Sequence, residues 1–86
     1  MKQNYCVGAG QLLQSILTSM GKTQKWLADE LGTSKAAVNR MIHNDRTISI
    51  KTALKIEKLT GYDARYLLAQ QTNYQLTKLK EKNNEQ

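Results

Sequence analysis

Residues 23–42, TQKWLADELGTSKAAVNRMI, decide the fold of this chain. Apolar residues recur at helical spacing on either side of a single glycine: Leu27, Ala28 and Leu31 before Gly32, then Val38, Met41 and Ile42 after it. That spacing lines one face of a helix. The stretch therefore reads as two short helices, predicted over 24–31 and 35–43, joined by a tight turn. Gly32 supplies the left-handed conformation that ends the first helix. Thr23 and Ser34 stand where a side-chain oxygen caps an opening turn. Two helices joined so closely can bury their inner faces only if the residue at their crossing is small, which singles out Ala28. Leu27, Leu31, Val38 and Met41 fill the wedge. The outer face of the second helix keeps Ser34, Lys35, Ala36, Asn39 and Arg40, residues that are small, polar or cationic, as suits a helix lying in a DNA major groove.

The flanking sequence is helical too. Leu12, Leu13, Ile16, Leu17 and Met20 predict a helix over 10–20. Ile50, Ala53, Leu54 and Ile56, behind a possible cap at Ser49, predict another over 50–60. Leu67, Leu68, Tyr74, Leu76 and Leu79, behind Asp63, predict the last over 64–80. Gly21 and Gly61 stand just past their stripes, where helices commonly end. No strand-like alternation occurs. The expected fold is all-α, five helices in one domain over 10–80. Residues 1–9 are expected as a flexible arm and 81–86, which hold no apolar residue, as a frayed tail.

Eighty-six residues suffice for one small core and exclude the Rossmann and TIM-barrel enzymes. Thirteen Lys and Arg against seven Asp and Glu leave a net charge of +6. The excess is concentrated in residues 22–58, which hold eight bases and four acids. A basic chain this short implies an anionic partner, with nucleic acid the first candidate. Cys6, the one cysteine, cannot pair within the chain, and a lone thiol fits a reducing cytoplasm. No apolar run is long enough for a membrane span or a signal peptide, so no membrane partner is expected. Gly8-Ala9-Gly10 opens like a dinucleotide fingerprint, but Leu13 occupies the third glycine's place and no strand precedes it. His43 has no second ligand at metal spacing. No paired carboxylates or nucleophile–base arrangement supports an enzyme, and no cofactor or metal is expected.

The segment from Thr23 to Ile42 resembles a helix-turn-helix of the lambda-repressor and Cro type, the XRE family. Gln24, Ala28, Gly32, Val38 and Met41 match that motif's Gln, Ala, Gly and apolar positions, and the likeness covers about residues 8–61. It implies that Lys35, Ala36, Asn39 and Arg40 face DNA bases, with Ala37 as a neighbour. By the same resemblance, Thr23, Gln24 and Ser34 anchor phosphate, and Asn44 and Arg46 in the following loop lie along the DNA backbone. Residues 63–76, DARYLLAQQTNYQL, are further similar to the end of HigA-type antitoxins. The correspondence is carried by Ala64, Tyr66, Leu68, Gln71, Tyr74 and Leu76. That family's usual Pro-Gly-Glu opening is VGAGQLL here, and Leu67 stands where it commonly has Trp. This likeness implies a repressor of an inverted-repeat DNA operator that also binds a small RNA-cleaving toxin. A stand-alone phage-type repressor shares nearly all these features, and a helical protein-binding adaptor is the other alternative. One recognition helix reads only a few base pairs, so a homodimer is expected, held through the fifth helix by Leu68, Gln71 and Leu76.

Overall fold

The structure, a computed structural model, describes residues 8–84. It contains α1 (Gly8–Met20), α2 (Gln24–Leu31), α3 (Lys35–Ile42), α4 (Ile50–Thr60) and α5 (Ala64–Asn84), with no strand among the described residues. The all-α, five-helix expectation holds. The caps explain the boundaries. Thr23, Ser34 and Ser49 accept hydrogen bonds from the backbone N–H groups of Trp26, Ala37 and Thr52. Gly32 and Gly61 end α2 and α4 at φ +70° and +84°. Two carboxylates start α5: Asp63 accepts from the Arg65 N–H at 2.8 Å and Glu57 from the Ala64 N–H at 2.7 Å.

The core is contiguous. Leu13 and Leu17 of α1, Leu27 and Ala28 of α2, and Val38, Met41 and Ile42 of α3 meet Ala53, Ile56, Ala64 and Leu67 of α4 and α5. Ala28 is buried, as the predicted helix crossing requires. Ile48, in the loop before α4, is 2% exposed, although it belongs to no helical stripe. Ile50 and Leu54, by contrast, are 69% and 49% exposed. Ala53 and Ile56 define the inner side of α4, so the broad stripe expected there is narrower.

Both ends of the predicted domain differ. Residues 1–7, including Cys6, lie outside the described residues. Gly8 and Ala9, expected in the arm, instead open α1, and Gly8, Ala9 and Gly10 are all buried. The cause is a close approach between helix ends. A Cβ on Gly10 would overlap the Ile42 carbonyl oxygen and lie 2.7 Å from that of Met41, so only glycine lets α1 cross the C-terminus of α3. Asn44, at φ +62°, turns its side chain back onto this junction. Its Oδ1 accepts the Gly10 N–H at 3.0 Å. The first N–H groups of a helix lack partners within it, so Asn44 caps α1 from a distant loop. At the other end, α5 runs on to Asn84, past the expected boundary at 80.

These contacts separate two kinds of glycine. Gly32 has open space around its Cα, so Gly32→Ala meets only the positive-φ penalty, about 1–2 kcal/mol. Gly10→Ala meets backbone atoms that cannot rotate away, and its cost should exceed that of Gly32→Ala. Asn44→Ala should lose about 1 kcal/mol for the cap. Urea unfolding of the three variants checks the ranking, and a Gly10→Ala protein as stable as Gly32→Ala would disprove the close approach.

Candidate nucleic-acid interface

The turn between α2 and α3 is closed by the Gly32 N–H bonding to the Ala28 and Asp29 carbonyls and by the Thr33 N–H bonding to the Ala28 carbonyl at 2.9 Å. The second helix is thereby seated with Ala37, Val38, Met41 and Ile42 inward. Lys35, Ala36, Asn39 and Arg40 are exposed together on the opposite face. All four residues assigned to base contact thus share one surface. Ala37, expected as their neighbour, is 5% exposed and belongs to the core.

A hydrogen-bonded chain steadies this face. The Asn39 Nδ2 donates to the Gln24 Oε1 at 3.3 Å, and the Gln24 Nε2 donates to the Gln14 Oε1 at 3.2 Å. Gln24 therefore links α1, α2 and α3, and both ends of its amide are engaged. Its geometry is that of a residue orienting Asn39, with only its remaining N–H available to phosphate. Thr23, Gln24, Lys25, Lys35 and Asn39 line an open groove between the start of α2 and α3. Thr23 and Ser34 accept backbone N–H groups as caps and remain exposed, so each hydroxyl still has a proton to donate.

On the far side of the turn, Arg46 lines a second groove of about 180 Å³ with Thr33, Thr47, Ser49 and Thr52. Of these, only Arg46 is expected at the interface from the sequence. Their signal was the run of hydroxyl residues around the start of α4. Asn44 does not join them as expected: its amide oxygen is held by Gly10, so it shapes the loop rather than offering that atom to DNA. His43 ends α3 as a helix-end imidazole, with Nδ1 2.8 Å from the Asn39 carbonyl oxygen.

Lys35, Arg40 and Arg46 take part in no ion pair among the described residues. Lys25 pairs with Asp29 at 3.2 Å, but both are exposed, and such pairs contribute little. Three uncompensated cations thus flank the turn.

The residues assigned to dimer contact are not brought to one face. Gln71 and Leu76 are five positions, about 140°, apart around a helix. Leu68 is half-buried against its own core. The Gln71 amide is bonded to Ile48 in the same chain. Leu76 alone of the three points outward, at 49% exposure, and Tyr66 and Leu79 are exposed on the same helix at 50% and 59%. No described helix is long and apolar enough to cross a membrane.

A helix-turn-helix family model matches residues 13–67. No curated protein matches the chain in sequence. Three similar solved structures cover nearly the whole chain. A candidate antidote protein of a plasmid maintenance system from Nostoc punctiforme superposes with a TM-score of 0.86 at 22% identity, over 95% of this chain and 90% of that one. The Pseudomonas aeruginosa antitoxin HigA, solved with the higBA promoter, gives 0.83 at 22% identity, over 94% and 89%. An addiction module antidote protein of the HigA family from Coxiella burnetii gives 0.81 at 20% identity, over 95% and 90%. The motif geometry, the exposed cationic face and the family match agree: the chain belongs to the helix-turn-helix family, as a DNA-binding domain of the XRE type whose structural neighbours are HigA-type antitoxins.

Proposed function

We propose that this protein is a sequence-specific repressor that binds double-stranded DNA as a homodimer on an inverted repeat, and that it is the antitoxin of a HigB/HigA-type module. The observation that carries the DNA reading is the outer face of α3. Lys35, Ala36, Asn39 and Arg40 are exposed there while every apolar residue of the helix except Ala36 is buried. Arg40 can donate two hydrogen bonds to guanine, Lys35 can donate to guanine, and Ala36 can meet a thymine methyl. Thr23, Ser34 and Arg46 supply phosphate contacts on either side, which set register without reading sequence. The antitoxin role is supported by likeness that continues through α5, beyond the residues the family model matches. The partner it implies is a small RNA-cleaving toxin. Co-expression with the product of an adjacent toxin-sized reading frame tests this, and failure of the two to co-purify would leave a repressor without a toxin.

Direct readout has its own check. Arg40→Ala and Lys35→Ala should each weaken binding to a selected operator by about 1–3 kcal/mol and relax base preference at one position. Random-sequence DNA should be affected much less. Equal losses on both kinds of DNA would overturn the base-reading assignment.

Dimerisation is proposed through the outer side of α5. Tyr66, Ala69 and Leu76 lie at helical spacing there and are all exposed. An inverted repeat requires two recognition helices about 34 Å apart, one turn of DNA, and a twofold axis through this side is the arrangement proposed to meet that requirement. Leu76→Asp leaves the core untouched, because Leu76 is half-exposed within its own chain. Sedimentation at micromolar concentration should show the variant monomeric with unchanged helicity. A persistent dimer would place the contact elsewhere.

A further inference from the structure

Gln71 is the residue through which α5 reaches the loop between α3 and α4. Its Oε1 accepts the Ile48 N–H at 2.7 Å, and its Nε2 donates to the Ile48 carbonyl oxygen at 2.9 Å. One side chain thus satisfies both polar groups of one residue, as a neighbouring strand would, and fixes that residue in position and orientation. The surrounding loop has few other constraints. Its first part is tied to α3 by the Asn44 N–H to Met41 and Asp45 N–H to Arg40 carbonyl bonds. Its last part begins the Ser49 cap of α4. Between them, among the described residues, no backbone–backbone hydrogen bond holds Arg46, Thr47 or Ile48. The Ile48 side chain is buried, and the Gln71 amide completes its anchoring.

Arg46 lies two residues before this anchor, and it shares a cleft with Thr47, Gln71 and Tyr74. It is exposed and takes part in no ion pair among the described residues, so the loop backbone sets where its side chain starts. A loop ordered before binding loses less entropy when it binds. We infer that Gln71 is a positioning residue for DNA binding: by clamping Ile48 it presets the loop so that Arg46 meets a backbone phosphate. The inference rests on the DNA-binding reading and deepens it, and it moves Gln71 from the subunit contact to the DNA-binding machinery.

The test is a double-mutant cycle on a random-sequence duplex, where binding is carried by phosphate contacts alone. Affinity is measured against salt for the wild type, Arg46→Ala, Gln71→Leu and the double variant, at a temperature where all are folded by circular dichroism. Arg46→Ala should lower the salt slope by about one per protomer. Gln71→Leu should do the same, with affinity falling on the order of tenfold, the scale of one charged hydrogen bond. The double variant should be no weaker than Arg46→Ala. Gln71→Met, which keeps the side chain's length but removes both hydrogen bonds without adding charge, should reproduce the loss, and it carries the cycle if Gln71→Leu does not fold. Gln71 variants that melt lower yet keep the wild-type salt slope would show a purely structural residue and overturn the inference. So would additive losses, or a Gln71 variant that becomes monomeric in sedimentation while keeping its slope. An Arg46→Ala protein with an unchanged slope would reject the phosphate contact itself, a separate failure from that of the clamp.

Discussion

An eight-residue helix is not stable by itself in water. The helix that presents Lys35, Ala36, Asn39 and Arg40 has eight residues, so its existence depends on what holds its ends and its underside. The Ser34 hydroxyl caps its first turn, and Gly32 lets the chain enter it from α2. At its other end, Gly10 of α1 lies against the last carbonyls, and the Asn44 side chain joins that end to α1. Beneath it, Ala37, Val38, Met41 and Ile42 are buried. Stability is thus drawn from one side and both termini. The outer face is left to be chosen for chemistry, since Lys35, Ala36 and Arg40 contribute little to the core.

The electrostatics follow the same division. No polar or charged residue is buried among those described, and the two ion pairs found there lie on the surface. Among the described residues the charge is therefore carried by side chains at the surface, whose attraction for an anion is long-ranged and weakened by salt. Lys35, Arg40 and Arg46 can neutralise phosphates or reach bases without first breaking a salt bridge. Orientation comes from neutral groups instead. The Gln14–Gln24–Asn39 chain sets an amide on the binding face, and the Gln71 amide is bonded to the neighbouring loop.

The helices and the recognition face were legible in the sequence because both arise from local rules. Periodicity places Val38 and Met41 inward, and that alone turns Lys35 and Arg40 outward. Caps at Thr23, Ser34 and Ser49 were visible for the same reason. What stayed hidden depends on pairs far apart in the chain. Gly8-Ala9-Gly10 reads as a loose lead because nothing local shows that α3 ends against Gly10. Asn44 reads as a DNA contact because the family resemblance puts it in the loop after the recognition helix, and Gln71 reads as a subunit contact because it recurs with Leu68 and Leu76 near one side of the fifth helix. Their bonds, to Gly10 thirty-four residues away and to Ile48 twenty-three away, turn both inward. Ile48 shows the converse: an apolar residue in a polar loop, outside any helical stripe, is buried in the core that residues distant in the chain assemble, with α5 reaching it through Gln71.

The fifth helix reconciles two roles that seemed to compete for it. Ala64 and Leu67 lie in the core, and Gln71 turns to Ile48 on the same side. Tyr66, Ala69 and Leu76 are exposed. The sides are separated by roughly a third to a half of a turn, as the spacing of Gln71 and Leu76 requires. A helix so divided can pack on its own chain and still offer a face to a second copy. The two functions proposed for α5, clamping the loop that carries Arg46 and joining two subunits, therefore need no rearrangement of one to accommodate the other. They also share one rigid element, so in the proposed dimer the distance between the twofold axis and each Arg46 would be set by a helix and a two-point hydrogen bond rather than by a free loop. Reading two half-sites one turn of DNA apart demands that kind of fixed distance.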